Sequence, residues 1–321
     1  MTNASIGIVV VNYASSDLLR STLGAIAPVN AEVIVVDNFS TTVERHAISA
    51  LAGDRAWHVV LMPDNRGFGP GVNAGAARAR ELGCESLLLL NPDVQASVDV
   101  IEALRVASIG DPMALVAPQH VDLEGKITFS GSSLNLRDGR TGRAARADGS
   151  PPGTQLIWLT AACLAVSVQL WDRVGGLAED YFMYWEDVDF NYRCVQAGAA
   201  TLLRDDLTVV HDQGGTQGPR RGRAKSALYY FYNARNRMLF AARNLNRGQI
   251  WGWWWRTPKV TWEILLRGGR RQLVDQPQLL LAALRGGLTG MGIGLRALVS
   301  GWASTDAVVA PGDPGAAPVE R

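Results

Sequence analysis

The sequence predicts an α/β fold: a mostly parallel sheet flanked by helices, followed by a basic, Trp-rich helical C-terminal segment. Apolar strand-like runs alternate with helix-like segments in the first half, which is typical of parallel sheets. Residues 1–217 hold 15 Lys and Arg against 25 Asp and Glu, a net charge of −10, whereas residues 218–300 hold 15 against two, a net charge of +13. With 47% hydrophobic residues, the chain is not an intrinsically disordered protein.

The first half contains four strand-like runs, each followed by turn residues. Residues 6–12 (I-G-I-V-V-V-N) are nearly all β-branched, which indicates a strand buried on both faces. Residues 86–90 (S-L-L-L-L) stop abruptly at Asn91-Pro92-Asp93. The predicted elements in order are a strand at 6–12, a helix at 17–26, strands at 32–36 and 58–62 on either side of a helix at 43–52, a helix at 71–82 and a strand at 86–90.

The second half is less regular. Residues 128–153 are rich in Gly, Ser and Arg and predict a loop or a β-excursion near the acceptor site. An apolar segment at 158–168 precedes a short helix at 171–177, a helix ending near 197 and a last strand at 207–210. Helical patterns then cover residues 226–246 and the Trp-rich residues 250–262, while residues 278–301 form a long apolar stretch.

Several classes of protein are excluded or disfavoured at this stage. The three cysteines are far apart in sequence, so no C-x-x-C metal site or disulfide framework is expected, which fits a reducing compartment. The first apolar run is too short for a signal peptide, so secretion is not expected. Because Arg285 and Arg296 interrupt residues 278–301, interfacial docking is favoured over a membrane-spanning helix.

Polar residues follow each predicted strand of the first half. Asn12 and Tyr13 follow the first strand, Asp37 the second, residues 64–67 the third and Asn91-Pro92-Asp93 the fourth. Parallel strands end at one edge of a sheet, where ligands bind. The sequence therefore predicts a ligand site at this edge.

Each of these motifs also has a simpler interpretation. Asp93 suits a divalent cation bridged to a diphosphate, but equally caps the following helix. Asp37 suits a base or ribose, or a plain turn. The glycines of residues 65–75 permit close approach of a nucleotide, yet such turns into helices are common, and the absence of G-x-G-x-x-G after the first strand argues against a nicotinamide dehydrogenase.

Three carboxylates lie close together after Trp185. Glu186, Asp187 and Asp189 are separated by at most three positions, and neighbouring carboxylates beside aromatic rings raise one pKa, which suits a general base acting on a sugar hydroxyl. The alternative is a helix N-terminus whose acids interact with the helix dipole. His211 ends an apolar strand, as either a core residue or a metal ligand.

The order and spacing of these motifs resemble those of family 2 glycosyltransferases, and of the bacterial rhamnosyltransferase branch in particular, over about residues 5–245. This resemblance implies a GT-A fold, inverting transfer of a sugar from a nucleoside diphosphate, and dependence on Mg²⁺ or Mn²⁺. The motifs that carry it are V-V-N-Y at 10–13, V-D-N-F-S at 36–40, N-R-G-F-G-P-G-V-N-A-G at 65–75, L-L-N-P-D at 89–93, W-E-D-V-D-F at 185–190 and V-V-H at 209–211.

The resemblance also implies roles for individual residues. Asp187 matches the catalytic base, and Glu186 would position the acceptor or the base. Asp93 and His211 would bind the metal, with Asn91 replacing the first acid of the family's D-x-D motif. The residues expected to bind the nucleotide sugar are Asn12, Tyr13, Asp37, Asn65, Arg66, Gly67, Asn73, Asn91 and Asp93. Those expected near the acceptor or diphosphate are Trp185, Arg235 and Asn236.

The expected substrates follow from the same branch and from the basic C-terminal third. The favoured donor is dTDP-β-L-rhamnose, with a UDP-sugar as the alternative, and the acceptor is a polyprenyl-diphosphate-linked sugar or another glycan. The expected location is the cytoplasmic face of the membrane, bound peripherally to an anionic surface rather than to nucleic acid, because the arginines alternate with Trp and Leu. A catalytically inactive binding protein and homo-oligomer formation remain open.

The predicted organisation has three parts. Residues 1–217 form the catalytic domain, residues 218–303 a basic helical segment that associates with membranes, and residues 304–321 a disordered tail. The density of Trp in residues 250–262 is typical of a water–hydrocarbon boundary. Deletion of residues 250–321 is therefore expected to release the protein from membranes and to leave a folded catalytic body.

Overall fold

The computed structural model describes residues 5–23, 30–144, 153–211 and 225–300. The strands are β1 (Ile6–Asn12), β2 (Ala31–Asp37), β3 (His58–Leu61), β4 (Ser86–Leu90), β5 (Val94–Gln95), β6 (Ala114–Val121), β7 (Ile127–Phe129), β8 (Ser132–Asn135), β9 (Thr141–Arg143), β10 (Gln155–Trp158), β11 (Cys163–Ser167) and β12 (Ala200–His211). The helices are α1 (Ser16–Thr22), α2 (Thr42–Arg55), α3 (Phe68–Glu81), α4 (Val98–Gly110), α5 (Val168–Val174), α6 (Glu186–Gln196), α7 (Ala227–Asn244), α8 (Arg247–Leu266), α9 (Gln272–Asp275) and α10 (Pro277–Ser300).

The main sheet has the strand order β3-β2-β1-β4-β11-β6-β12-β5, with β7 paired to β6. Strands β1 to β4, β6 and β12 run in one direction, which confirms the mostly parallel sheet. Strand β11 runs antiparallel between β4 and β6, so its first residues lie beside the carboxyl ends of its neighbours. This reversal brings residues 160–162 to the edge where the polar motifs gather.

Both faces of the sheet are covered, as the continuous apolar strands predict. Along β1, Val9 and Val11 face the cluster that includes α3 and α5, whereas Ile8 and Val10 face the cluster that includes α2 and α4. Successive side chains of a strand point to opposite faces, so an all-apolar strand requires helices on both sides.

Most predicted boundaries lie close to the observed ones, although α3 begins at Phe68 rather than at residue 71. Two further elements also differ. The predicted helix at 171–177 begins earlier, at Val168, because Ser167 caps it by accepting a hydrogen bond from the Leu170 N–H. The last strand is β12, longer than predicted, because it is irregular between Arg204 and Thr208 and its charged residues obscure the strand pattern. The predicted first helix is described only as far as Thr22, since residues 24–29 lie outside the described ranges.

Residues 128–153 form a β-excursion where the structure describes them. Strands β8 and β9 and the following β10 make a separate three-stranded antiparallel sheet in the order β10-β8-β9. Residues 145–152 lie outside the described residues. The small sheet is joined to α8 by Arg140, whose guanidinium makes two 2.7 Å hydrogen bonds to Glu263.

The C-terminal helices pack into the catalytic body, which contradicts the expectation that residues 250–321 can be deleted without loss of the fold. Trp253 is fully buried, its ring stacks on Phe240 and meets Trp185 edge-on, and its indole N–H donates to the Leu136 carbonyl. Arg237 is buried beside it and donates to the backbone carbonyls of Trp253 and Gly139. Removing α8 would therefore expose the core behind Trp185.

By length and composition, helix α10 is long and apolar enough to cross a membrane. However, 39% of its most apolar 18-residue stretch is buried in the protein. It lies close against α7, because an added Cβ at Gly286 would collide with the Phe231 carbonyl. One face of α10 is therefore occupied by protein. The predicted disordered tail at residues 304–321 lies outside the described part of the chain.

Candidate active site

The polar motifs meet at one edge of the main sheet. Asn12 and Asp37 are register partners at the ends of β1 and β2, and His211 at the end of β12 is the partner of Val94, next to Asp93. The carboxyl ends of the parallel strands converge because the strands run side by side in the same direction. The structure thus brings together the residues predicted on four separate loops.

Asp37 lies at the base of a buried polar patch at the end of β2. One carboxylate oxygen, Oδ2, accepts a 2.6 Å hydrogen bond from the Arg45 Nε. The other oxygen, Oδ1, is buried without a hydrogen-bond partner in the described chain, as are Asn38 Oδ1 and Ser40 Oγ. Buried acceptors rarely stay unpaired, so the patch can accept hydrogen bonds from water or from a ligand that presents N–H or O–H donors, as a pyrimidine nucleoside does.

The turn at Asn65 to Gly67 is fixed against this patch. Asn38 Nδ2 donates to Asn65 Oδ1 at 3.0 Å and to the Gly67 carbonyl at 2.9 Å. Gly67 has φ +99°, and a Cβ there would collide with the Phe182 carbonyl. Only glycine fits this position, which begins α3 and connects the turn to the segment before α6. Arg66 is about half exposed and lies 3.6 Å from Glu179.

Three of the residues predicted to bind the nucleotide sugar have other environments. Asn12 fixes the turn that leads into α1, because its Oδ1 accepts from the Ser15 N–H and hydroxyl. Asn73 exchanges hydrogen bonds with the backbone of Leu177, which fixes α3 to the segment before α6. Tyr13 is exposed at the rim. Asn12 and Asn73 therefore position the loops, and their contact with the donor stays a prediction.

Asp93 and His211 form the pair of side chains best suited to hold a divalent cation. His211 Nε2 lies 3.3 Å from Asp93 Oδ1, and that oxygen is buried without a hydrogen-bond partner in the described residues. No group of three His, Cys, Asp or Glu side chains suited to a metal occurs in the described ranges. The pair fits a cation whose remaining ligands are diphosphate oxygens and water, as is usual for Mg²⁺. Asn91 anchors this turn by donating its backbone N–H to the Ala162 carbonyl at 2.8 Å.

His120 belongs to the same group and was missed from the sequence. It is fully buried at the end of β6, and its Nδ1 lies 3.1 Å from the His211 Nδ1. Burial, and then the neighbouring His211, lower the pKa of His120 to about 3, so its ring is neutral. His120 therefore orients the His211 ring by a neutral hydrogen bond. The apolar residues 114–117 directly before it are the sequence signal that would have placed it at a strand end.

Glu186 and Asp187 begin α6 after two residues in the left-handed conformation. Tyr184 has φ 67° and Trp185 has φ 78°, a conformation that non-glycine residues adopt at a cost. The Trp185 ring is buried against Phe240 and Trp253. Packing on this ring supports the strained turn from behind, and contact of Trp185 with the acceptor stays a prediction.

The two carboxyls at the start of α6 have raised pKa values. Burial, together with the nearby Asp187, raises the pKa of Glu186 to about 8. Burial also raises the pKa of Asp187 to about 6, against the hydrogen bonds that its carboxylate accepts from the Val188 and Ala161 N–H groups. Both shifts have the same direction, so burial and the closeness of the two carboxyls favour a pair that holds a proton near neutral pH. A carboxyl pair of this kind suits a general base.

Asp189, the third acid, is used for structure. It is fully buried and accepts hydrogen bonds from Arg193 at 2.7 Å, Asn244 at 2.7 Å and Tyr181 at 3.3 Å. These contacts neutralise it and connect α6 to α7. Of the three neighbouring acids, Asp189 therefore has a structural role, and Glu186 and Asp187 remain as candidates for the site.

Arg235 and Asn236 fix the segment that leads into α6. The Asn236 side chain donates to the carbonyls of Met183 and Tyr184 at 2.9 and 2.8 Å. Arg235 donates to the Asp180 carbonyl and to Asn236 Oδ1. Asn236 thus stabilises the turn before Glu186, while the guanidinium of Arg235 remains beside a cavity.

Asp187 and the pair formed by Asp93 and His211 lie on either side of one short segment. The Asp187 carboxylate accepts hydrogen bonds from Thr160 and Ala161, and the next residue, Ala162, accepts the bond from Asn91. Antiparallel β11 starts directly after this segment. The arrangement places a proton acceptor beside the turn that carries Asp93.

Solved structures with a similar architecture define the fold. The mannosyltransferase PcManGT of Pyrobaculum calidifontis, solved with GDP-Man and Mn²⁺, matches with a TM-score of 0.51 and 15% identity over 91% of this chain and 86% of that chain. GalNAc-T7, solved with UDP, GalNAc and Mn²⁺, matches with a TM-score of 0.52 and 14% identity over 65% of this chain, which spans 44% of the longer chain. The fold is the GT-A fold of glycosyltransferases.

Sequence comparisons show a resemblance to one family of glycosyltransferases. Residues 5–155 match the family described as Glycosyl transferase family 2. The low-salt glycan biosynthesis hexosyltransferase of Haloferax volcanii is 26% identical over 73% of this chain and 74% of its own length. The N-acetylglucosaminyl-diphospho-decaprenol L-rhamnosyltransferase of Mycobacterium tuberculosis is 28% identical over 66% of this chain and 77% of its own length. The dTDP-rhamnosyl transferase RfbF of Shigella flexneri is 21% identical over 75% of this chain and 81% of its own length.

Proposed function

We propose that this glycosyltransferase transfers L-rhamnose from dTDP-β-L-rhamnose to a hydroxyl of a lipid-linked glycan, with inversion at the anomeric carbon. The observation that carries the proposal is the set of unpartnered buried oxygens at one sheet edge, on Asp37, Asn38, Asp93 and Glu186. They supply acceptors for a nucleoside, a ligand for a cation and a proton-handling pair in one place. The rhamnosyltransferases among the relatives favour this donor over a UDP-sugar.

The residues divide the chemistry between them. Asp37 and Asn38 accept hydrogen bonds from the nucleoside, and Asp93 with His211 hold the cation. A bound Mg²⁺ or Mn²⁺ supplies charge neutralisation of the departing diphosphate. Asp187 removes the proton of the acceptor hydroxyl as that oxygen attacks the anomeric carbon from the face opposite the diphosphate. A single displacement inverts the configuration, and no covalent intermediate with the protein forms.

The donor is tested by incubating the purified chain with dTDP-rhamnose, UDP-glucose, UDP-N-acetylglucosamine and GDP-mannose. Each reaction contains Mn²⁺ and a polyprenyl-diphospho-N-acetylglucosamine acceptor, and the released nucleoside diphosphate is measured. We expect release from dTDP-rhamnose to exceed release from each other donor by about tenfold or more, since a site built for one set of hydroxyls leaves polar groups unpaired with another. Preference for a UDP-sugar would overturn the donor, and no turnover with any donor would favour a binding protein.

We also propose that the enzyme binds peripherally to the cytoplasmic face of the membrane. Helix α10 carries an exposed apolar face, here called the α10 stripe, opposite the face that packs on α7. Its members are Leu281, Leu284, Leu288, Leu295 and Val299. Trp251 and Trp255 on α8 are exposed as well, and residues 218–300 carry a net charge of +13. An apolar stripe with cationic flanks suits the surface of an anionic bilayer.

Leu288→Glu is expected to lower binding to vesicles of phosphatidylcholine and phosphatidylglycerol by about tenfold or more. The change removes an apolar side chain whose burial in the bilayer is worth about 1.5–3 kcal/mol. It also adds a charge that the anionic lipids repel. Flotation of the vesicles on a sucrose gradient measures the binding. Leu123→Glu is the matched control, because Leu123 is 67% and Leu288 70% exposed, but Leu123 lies on the acidic body. Equal binding by the two variants would contradict the proposed orientation.

A further inference from the structure

We propose that the cavity between α7 and α10 binds the diphosphate of the lipid-linked acceptor, which would make it a second anion site separate from the one at Asp93. The proposal rests on the proposed function and names the part of the substrate that this surface recognises. The cavity measures about 290 Å³ and is lined by Asp180, Arg235, Leu239, Ile293 and Arg296. At about 30 Å³ per water molecule, it has room for more than a single small ion.

The charges that line the cavity favour an anion. Neither Arg235 nor Arg296 makes an ion pair with a carboxylate of the described residues. The Asp180 carboxylate is already paired with Arg243. Two guanidinium groups thus face the cavity without a counter-charge of their own.

Arg235 is held ready for such a ligand. Its Nη1 donates to the Asp180 carbonyl at 3.4 Å and to Asn236 Oδ1 at 2.5 Å, which leaves further N–H donors of the guanidinium unused. Burial removes water from the guanidinium and lowers the pKa of Arg235, and the nearby Asp180 offsets this effect only in part. A phosphate group would offset this cost, because guanidinium and phosphate form strong, charge-assisted pairs of hydrogen bonds.

Arg296 is the complementary group on α10. Its only hydrogen bond in the described chain is a long one, 3.4 Å from Nε to the Gly292 carbonyl of the preceding turn. The side chain is therefore free to turn toward Arg235. Arg285 lies three helical turns earlier on the same flank of the α10 stripe but does not line the cavity.

The cavity lies between the catalytic base and the apolar surface. On one side, Asn236, next to Arg235, holds the carbonyls of Met183 and Tyr184 just before the acids of α6. On the other side, Arg296 directly follows Leu295 of the α10 stripe. A polyprenyl-diphospho-sugar presents a hydroxyl, a diphosphate and a hydrocarbon chain in that order. The protein presents a base, two arginines and an apolar face in the same order.

Geranyl diphosphate in buffer with EDTA is the probe for this site, because chelation removes any cation-dependent binding at Asp93. We expect the full-length wild-type chain to bind it in calorimetry, and Arg296→Ala to raise the dissociation constant about tenfold or more, the usual effect of losing one charged hydrogen-bonding partner. Arg296→Lys should retain part of the affinity. Arg285→Ala and Asp93→Asn should change it less than about twofold, since neither residue lines the cavity.

Two comparison ligands and a kinetic assay decide between sources of the anion. Inorganic pyrophosphate should bind more weakly than geranyl diphosphate and geraniol not measurably, if both the cavity and the stripe contribute. In the transfer assay, Arg296→Ala should raise the KM for the diphosphate-linked acceptor about tenfold and leave the KM for the donor within about twofold. Loss of vesicle binding without loss of geranyl diphosphate binding would assign Arg296 to lipid headgroups and overturn the proposal.

Failure of the proposed second anion site can be distinguished from failure of the proposed function. A chain that turns over a sugar nucleotide but does not bind geranyl diphosphate in EDTA contradicts the second anion site alone. A chain that binds geranyl diphosphate through Arg296 but turns over no sugar nucleotide contradicts the transferase proposal and leaves the site standing. Equal losses in Arg285→Ala and Arg296→Ala would show a general charge effect and also overturn the site.

Discussion

Asp187→Asn is expected to lower kcat for sugar transfer by roughly 10²- to 10⁴-fold, the usual contribution of a general base. The amide keeps the shape of the side chain, and its oxygen can still accept the hydrogen bond from the Val188 N–H. It cannot accept the proton of the acceptor hydroxyl. Donor binding should persist, because Asp37 and Asp93 contact other parts of the nucleotide sugar in the proposed arrangement. The change should therefore appear in kcat, with the dissociation constant of the donor within about threefold.

The measurement pairs transfer kinetics with calorimetric binding of dTDP. Asp99→Asn is the control, since Asp99 is an exposed acid in the first turn of another helix, α4. It should retain transfer activity, which separates the chemistry from a general effect of removing an acid at a helix start. Undiminished turnover by Asp187→Asn would remove Asp187 from the role of base.

The pH profile of the wild-type enzyme is a second test of the assignment of Asp187 as the general base. Burial raises the pKa of the Asp187 carboxyl to about 6, and only its deprotonated form accepts a proton. The kcat/KM should therefore be low in acid, rise as the pH passes about 6, and level off near neutrality. The residual activity of Asp187→Asn should lack this rise.

The sequence predicts the strands of the first half well, because strands buried on both faces leave little room for polar residues. Residues 6–12 and 86–90 are observed as β1 and β4 with the predicted bounds. The direction of β11 could not be predicted in this way. A fully buried strand has the same apolar pattern whether its neighbours run parallel or antiparallel, so the pattern does not reveal that residues 160–162 reach the active edge.

Tryptophan density misled the interpretation of residues 250–262, whereas helical spacing would have corrected it. Ile250, Trp253, Thr257 and Val260 recur every three or four residues and are all buried, so Trp253 belongs to the inner face of α8. Trp251 and Trp255 fall on the other face and are exposed. A count of indoles describes the helix as a whole, while the position of each indole decides whether it meets protein or solvent.

The candidate site also contains residues that the sequence predicts and residues that it does not. Acids and amides that follow strands, such as Asp37 and Asp93, are predictable because the fold brings strand ends together. Contacts between distant segments are not. The pairing of His120 with His211, and the position of Arg235 and Arg296 around one cavity, depend on how β6, β12 and the C-terminal helices pack. The net charge of residues 218–300 indicated an anionic partner without showing which arginines would meet it.

Asp93→Asn is expected to raise the Mn²⁺ concentration needed for half-maximal transfer by about tenfold or more, and to lower kcat/KM at limiting Mn²⁺ by roughly 10²-fold, since even the outer partners of metal ligands contribute 10- to 100-fold to metal affinity. The amide keeps the volume of the buried side chain but loses the charge that Oδ1 presents 3.3 Å from His211 Nε2. With only His211 left, the described chain supplies no second strong ligand at this position.

A Mn²⁺ titration of activity, together with the thermal shift that Mn²⁺ and dTDP produce jointly, measures this effect with and without turnover. Asp111→Asn is the control, an exposed acid at the end of α4 that should leave both readouts unchanged. Asn91→Asp tests the same turn in the opposite direction: a second carboxylate would add charge beside Asp93 and lower the Mn²⁺ requirement, provided that the turn stays anchored through its backbone bond to Ala162. An Asp93→Asn enzyme with an unaltered Mn²⁺ requirement would show that the cation is held elsewhere. The unpartnered oxygen of Asp93 would then belong to donor recognition, because a buried acceptor at this edge must still find a donor when the nucleotide sugar binds.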